Sequence, residues 1–510
     1  MKKLLKLLFS RAAFVALFML LQLFVLFSTL FYFQDSFTTV QTISVALALV
    51  TVVYIINQDG SSAFKIAWIL PIVFLPLFGI PMYILFGKKR TPESQRTKLS
   101  GMLLRYRATA RAVSSRTDDV AQVSAEAALQ SAYLERCAGA PVFRRTETKY
   151  YKLGDELFPA MLEELKKAER FIFMEYFIVE PGVMWDAILE VLTQKAAEGL
   201  DVRLIYDDMG CIMILPTGYD RTLEQMGIKC RIFNPFVPIL SSRFNTRDHR
   251  KICVIDGNVG FTGGINLADE YINAYEKHGH WKDTSILLKG EAVFNLTVMF
   301  LSMWDYLDGT TGKTDYSRYY PTVWDENAKG YVQPFADNPL DDEAVGETVY
   351  LNLINKAKRY VYITTPYLIL SSEMLTALTS AAKCGVDVRI ITPHIPDKWY
   401  VHAVSRSHYQ PLIEAGVKIY EYTPGFIHAK TFVVDDDYAV VGTINLDYRS
   451  LYLHFECAVW MYQTPSVAQV RDDFFKTQQI SQEITLEECR SLSFPRRLGR
   501  SVLRVFAPLM

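Results

Sequence analysis

His249–Asp256 reads HRKICVID and His428–Asp435 reads HAKTFVVD, and these two stretches decide the fold of the chain. Each is a histidine, a lysine two places on, and an aspartate closing the run. The likeness continues at equal spacing, with Gly263, Gly264 and Asn266 after the first stretch and Gly442, Thr443 and Asn445 after the second. A single His-x-Lys is a weak signal, since most isolated histidines are structural or lie on the surface. Two copies with matched neighbours point to an internal duplication. Read as strands, the stretches put His249 and Lys251 on one face and Ile252 and Val254 on the other, with His428 and Lys430 likewise against Thr431 and Val433.

The repeat extends upstream. AERFIFMEYFIV (168–179) parallels AKRYVYITTPYLI (357–369), GLDVRLIYDD (199–208) parallels GVDVRIITPH (385–394), and MGIKCRIFNP (226–235) parallels AGVKIYEYTPG (415–425). Each joins a helix end to a short apolar run bounded by Gly, Pro or Asp. That alternation predicts an α/β fold, a mixed sheet covered by helices on both faces and built twice, with the two His-x-Lys stretches meeting across a shared interface. The expected organisation is a membrane-anchoring region at 1–90, a linker and approach helix at 91–145 with helical character from Asp118 to Arg136, halves at 146–320 and 321–485 joined through about 305–340, and a tail at 486–510. The tail sets Arg496, Arg497, Arg500 and Arg504 among Leu498, Val502, Leu503, Val505 and Phe506. It reads as a basic amphipathic helix, either on an anionic membrane or docked on the protein.

The chain has 510 residues, half of them hydrophobic, and a formal net charge of −1. No global basic field is available for bulk nucleic-acid binding. Seven scattered cysteines without CxxC spacing argue against both a disulfide framework and a zinc site. The apolar excess lies in Ala12–Phe33, Val40–Ile56 and Ile66–Phe86. The first and third are long enough to span a hydrocarbon core of roughly 30 Å, while the second is marginal. Lys2, Lys3, Lys6 and Arg11 precede the first, and Lys88, Lys89 and Arg90 follow the third. Both ends therefore ask to be cytoplasmic. Pro71, Pro76 and Pro81 inside the third stretch fit a bent or re-entrant segment. The expectation is a multi-pass membrane protein with a cytoplasmic catalytic region.

Two imidazoles and two ammonium groups suit phosphodiester exchange. A neutral imidazole is a nucleophile near neutral pH and its protonated partner an acid. Lysine stabilises developing phosphoryl charge, asparagine adds a neutral donor, and glycine admits backbone N–H groups to an oxyanion. Fixed cations already supply the charge, so neither a metal nor another cofactor is expected.

H-x-K-x4-D twice, over about 145–465, resembles the signature of the phospholipase D superfamily. The resemblance implies two phospholipase-D-like α/β/α halves, one histidine forming a covalent phosphohistidine and the other acting as acid and then base. By position His249 and His428 take those roles, with His249 favoured as nucleophile. Lys251, Lys430, Asn266 and Asn445, beside Gly264 and Thr443, bind or support the phosphoryl group. Asp256 and Asp435 complete the catalytic motif, and at the strand ends they suit fixing the turn and the packing between halves. Glu456 resembles the carboxylate that orients a motif histidine, and Asp283 is its best counterpart in the first half. Glu175, Tyr176 and Tyr367 resemble pocket positions, or simply close strand ends. His278, His280, His394, His402, His408 and His454 lack the paired context and read as non-catalytic.

Within the superfamily, NLDYRSLYLHFE, EAGVKIYEYTPGFIHAK, FIFMEYFIV and KIAWILPIVFLPLFGIPMYILFG look like bacterial cardiolipin synthases. Cys211 in YDDMGC, where serine is usual, and TPYLILSS without the usual Pro-Asp depart from that family. The resemblance implies transfer of a phosphatidyl group between two phosphatidylglycerol molecules at the bacterial plasma membrane, with phosphatidylglycerol and an anionic lipid surface as partners and no nucleic acid. A phospholipase-type hydrolase, or a phosphatidyltransferase using another donor or alcohol, shares the motif. A membrane-anchored nuclease and a catalytically silent scaffold fit less well. Oligomeric state is not readable.

Overall fold

The computed structural model describes residues 37–58, 60–87, 117–236, 245–310, 314–341 and 343–509, with positions 20, 24, 27, 28, 101, 108 and 109. Most of Ala12–Phe33, and the basic clusters at 2–11 and 88–90, lie outside the described residues.

The first half carries β1 (Thr146–Tyr151), β2 (Phe171–Tyr176), β3 (Asp201–Asp207), β4 (Lys229–Phe233), β5 (Arg247–Asp248), β6 (Ile252–Ile255), β7 (Val259–Gly263), β8 (His280–Lys282) and β9 (Ser285–Gly290). The second carries β10 (Tyr331–Asp337), β11 (Tyr360–Thr364), β12 (Asp387–Pro393), β13 (Lys418–Tyr422), β14 (Gly425–Ile427), β15 (Thr431–Val434), β16 (Tyr438–Gly442), β17 (His454–Tyr462) and β18 (Ser481–Glu483). The sheets run β1-β9-β7-β6-β2-β3-β4 and β10-β17-β16-β15-β11-β12-β13-β18, the same order twice with β18 added at one edge. β2, β3 and β4 pair in parallel, as do β11, β12 and β13, and the remaining neighbours along each sheet are antiparallel. The repeated apolar runs supply these parallel strands, which are buried on both faces and so read as continuous rather than alternating.

The sheets meet across two helices. Val293–Asp308 is buried along most of its length, and with Pro465–Gln479 it packs into one apolar cluster that draws on both sheets. The connection between halves therefore narrows to the stretch between Asp308 and β10. The approach region forms helices Thr117–Val123 and Ala125–Tyr133, interrupted where Ser124 accepts from Ala127 N–H at 3.2 Å. It is part of the second half rather than a spacer: Val120, Ala127 and Leu134 enter that half's core, and Gln333 Nε2 donates to the carbonyls of Ser131 and Ala140.

Near the N-terminus, helix Phe37–Ile56 precedes Ser62–Phe74 and Pro76–Met82. The last two fold against each other at Leu75, where Pro76 resumes the helix and the Gly79 backbone lies against Pro71 and Ile72 so closely that a Cβ would stand 2.5 Å from the Pro71 carbonyl. Among the described residues no helix is long and apolar enough to cross a membrane. The tail forms helix Phe494–Phe506, and Leu509 packs against the hairpin.

Candidate active site

The motif histidines are set by strands that cross between halves. β5 runs parallel to the start of β17, pairing Arg247 with His454 and Asp248 with Phe455. β14 runs parallel to β8 in the same relation, pairing Phe426 with Trp281 and Ile427 with Lys282. One residue later His249 N–H donates to the Phe455 carbonyl at 2.9 Å, and His428 N–H to the Lys282 carbonyl at 2.7 Å. The expectation of one continuous strand is thus corrected. His-x-Lys lies outside both sheets, which begin at Ile252 and Thr431, because its backbone is held from the opposite half.

The side chains repeat the exchange. His249 Nδ1 lies 2.9 and 3.0 Å from the two carboxylate oxygens of Glu456. His428 Nδ1 lies 2.6 Å from Asp283 Oδ2. Each imidazole of one half thus donates to a buried carboxylate of the other, leaving Nε2 for chemistry. Glu456 also accepts from the Ser450 hydroxyl at 2.5 Å and from that of Thr443. Asp283 accepts Thr284 N–H at 2.8 Å, and its oxygen lies where Gly264 has no side chain: a Cβ there would come within 2.1 Å. Gly264 and Thr443 occupy equivalent positions and serve opposite ends, one making room for a carboxylate and the other satisfying it. Lys251 and Lys430 are buried, each ammonium donating to the carbonyl of its own motif histidine.

Burial governs the protonation states. It holds both motif histidines well below the ordinary imidazole range, and the Lys251 and Lys430 charges add to the effect. It brings Lys251 down to about 7 and Lys430 to about 8, Glu456 and Asp283 respectively pulling back. It pushes Glu456 up to about 7 and Asp283 to about 6, against the pull of the lysines. Four basic groups crowd one buried seam, where burial and mutual repulsion bias lysine and histidine alike toward their neutral forms.

The remaining sequence-derived positions divide. Asn266 accepts Ile178 N–H at 3.0 Å and donates to the Tyr271 hydroxyl at 2.7 Å, whereas buried Asn445 Oδ1 has no hydrogen-bond partner among the described residues. Asp256 accepts the N–H groups of Glu169, Arg170 and Phe171, and Asp435 those of Lys358, Arg359 and Tyr360. Both sit at left-handed φ (55° and 56°) and cap the strand entry inside their own half. Glu175 is buried against Arg250 at 2.5 Å, Tyr176 lies in the core, and the Tyr367 hydroxyl donates to Asp397 at 2.6 Å.

One residue read as non-catalytic belongs to the seam. The His454 ring lies 5.7 Å from that of His249, and its Nδ1 lies 3.9 Å from Glu456. Its equivalent in the first half is Trp281, 5.7 Å from His428, and the Arg247 position corresponds to Phe426, 5.8 Å from His428. The site is therefore symmetric in backbone and polarised in chemistry. Arg247 and His454 lie on the His249 side, with the Phe177 ring 5.3 Å from His249, while Trp281, Phe426 and Tyr271 surround His428. The signal was available: two residues before Glu456, as Trp281 is before Asp283. Among the described residues, His249, His454 and Glu456 form the group whose atoms could hold a metal. The neighbouring ammonium groups of Lys251 and Lys430 oppose a dication there.

Comparison with known proteins agrees with this architecture. A family described as "Cardiolipin synthase, PLD-like domain" matches residues 161–304 and 350–477, and one described as "Phospholipase_D-nuclease N-terminal" matches 46–88. A cardiolipin synthase of Geobacillus kaustophilus is 36% identical over 89% of this chain and 90% of its own length. An uncharacterized protein of Streptococcus mutans is 44% identical over 90% of this chain and 99% of that protein. The fold matches a phosphatidylserine synthase structure from Haemophilus influenzae at TM-score 0.56 and 14% identity, covering 74% of this chain and 97% of that one. With both catalytic halves matched and close relatives aligned over most of its length, the chain belongs to the cardiolipin synthase family of phospholipase-D-like enzymes.

Proposed function

We propose that this phosphatidyltransferase makes cardiolipin from two phosphatidylglycerol molecules. The observation that carries the mechanism is the reciprocal pairing of His249 with Glu456 and of His428 with Asp283. His249 Nε2 attacks the phosphorus of the donor lipid, the P–N bond forms, and the P–O bond to the terminal glycerol breaks. His428, as imidazolium, gives its Nε2 proton to the departing glycerol oxygen. It then removes a proton from the primary hydroxyl of a second phosphatidylglycerol, whose oxygen attacks phosphorus and releases His249. The products are cardiolipin and glycerol.

Polarity of the flanks supports these roles. His428 stacks on Phe426 and lies beside Trp281, faces that suit an imidazolium, while His454 and Arg247 on the His249 side suit a neutral nucleophile there. Before substrate binds, burial and both lysines hold the two rings neutral. Lys251 and Lys430 stabilise the phosphoryl oxygens, with Asn266, Asn445 and the backbone at Gly264 and Thr443 supporting them. Confinement of both lipids raises the acceptor's effective concentration against water.

The anchoring reading is a multi-pass plasma-membrane protein with its catalytic halves on the cytoplasmic side. Helix Ser62–Phe74 is only about 20 Å long at ~1.5 Å per residue, so the bend at Leu75 suits a re-entrant hairpin.

Purified full-length enzyme given labelled phosphatidylglycerol is expected to yield cardiolipin and glycerol. Phosphatidic acid as the main product would replace synthesis with hydrolysis.

A further inference from the structure

The C-terminal helix docks with a row of large apolar side chains turned outward. Leu503 packs toward Val401 and Val404, Ala507 is buried, and Leu509 reaches the N-terminal hairpin. Arg500 acts on Cys489 and faces Arg406 and Glu421, while Arg504 acts on His408 and Tyr448. Arg500 is thus partly buried toward the protein, while Arg504 stays exposed. Phe494, Leu498 and Val502, one helical row at four-residue spacing, remain 67%, 52% and 50% exposed. A helix docked for stability alone would bury this row. Exposed Arg497 borders it.

Helix Trp399–Ser407 packs against this tail. Trp399 is 72% exposed and stacks edge-on with half-exposed Tyr400 at 5.8 Å, beside the half-exposed Lys398. The same segment adjoins the catalytic seam. The Tyr367 hydroxyl donates to Asp397 at 2.6 Å, Lys398 Nζ lies 5.6 Å from the Tyr367 ring, and the charges of Asp397 and Lys398 reach His428.

We infer that Phe494, Leu498, Val502, Trp399 and Tyr400, with Arg497 and Lys398, form one interfacial patch that seats on an anionic bilayer and holds the His428 side of the seam at the headgroups. Indole and phenol rings suit the membrane–water boundary, an apolar row with basic neighbours suits a helix lying in that plane, and the cations match an anionic leaflet. Continuity with the hairpin through Leu509 places patch and anchor on one side. The choice of a bilayer as occupant rests on the lipid-transfer reading above.

The test uses the full-length protein in vesicles of phosphatidylglycerol and phosphatidylcholine, with Cys137, Cys384 and Cys489 replaced by serine and an environment-sensitive fluorophore placed through Leu498→Cys. Spin-labelled lipid is expected to quench this probe, and to leave a control probe at Glu147→Cys unquenched. Equal quenching at both sites, or none at 498, would overturn the patch. A second arm compares Phe494→Ser/Leu498→Ser/Val502→Ser with the parent. Cardiolipin formation in vesicles is expected to fall at least about tenfold, with the rate in mixed detergent micelles unchanged. An unchanged vesicle rate would also overturn the patch. Quenching at 498 without cardiolipin from the parent protein would fault the transfer reading alone.

Discussion

Glu456 lies 207 positions beyond His249 in the chain and 2.9 Å from its Nδ1. Asp283 and His428 repeat the relation in the opposite direction, 145 positions apart and 2.6 Å in space. Each half therefore completes the other's imidazole, and neither holds an oriented histidine alone. The duplication makes one candidate active site from two incomplete ones.

Replacing His249 or His428 with alanine is expected to abolish transfer while leaving a folded protein. Glu456→Gln and Asp283→Asn keep the shape and remove the charge that orients each ring, so kcat is expected to fall about 10²–10⁴-fold. Rapid-quench assays of lipid turnover, with circular dichroism as the folding control, distinguish these losses from unfolding. Normal turnover in either carboxamide variant would remove the oriented-imidazole mechanism.

The pH profile of kcat/KM is expected to be bell-shaped. Falling pH protonates Asp283 near 6 and Glu456 near 7, taking away the negative partner of each imidazole. Rising pH removes the ammonium charge of Lys251 near 7 and Lys430 near 8 before substrate binds. The limbs belong to the coupled cluster rather than to single residues. Lys430→Arg, which stays charged, is expected to lower the maximum and to move the alkaline limb upward.

Gly264 and Thr443 should fail in different ways. Gly264→Ala drives a methyl group into Asp283, so loss of turnover is expected with His428 as the disturbed ring. Thr443→Val removes one donor from buried Glu456, an expected loss of about 1–3 kcal/mol in unfolding free energy together with an acid limb shifted to higher pH. Chemical denaturation and the pH–rate profile read the two effects separately.

Asp256→Ala and Asp435→Ala each strip three backbone N–H groups of their acceptor and place alanine at positive φ. The expected cost is about 1–3 kcal/mol of stability, with turnover per folded molecule largely kept. Loss of chemistry without loss of stability would return these aspartates to the reaction.

The parallel strands were legible because their doubled apolar runs are buried on both faces, so short continuous hydrophobic stretches mark them directly. His249, Lys251, His428 and Lys430 were legible because repetition at fixed spacing is a one-dimensional property. The break of the strand just before Ile252 was hidden, since it depends on the Phe455 carbonyl of the other half. His454 was passed over because its partner His249 is distant in the chain and its equivalent, Trp281, is a different residue type.

The chain alone determined a duplicated α/β architecture and the paired His-x-Lys positions, because periodicity and repeat spacing are properties of residue order. Tertiary structure alone decided which carboxylate holds which imidazole, which aspartates cap turns, and what surrounds each motif histidine. Those outcomes depend on hydrogen bonds and burial between segments some two hundred residues apart, where no local preference carries the information.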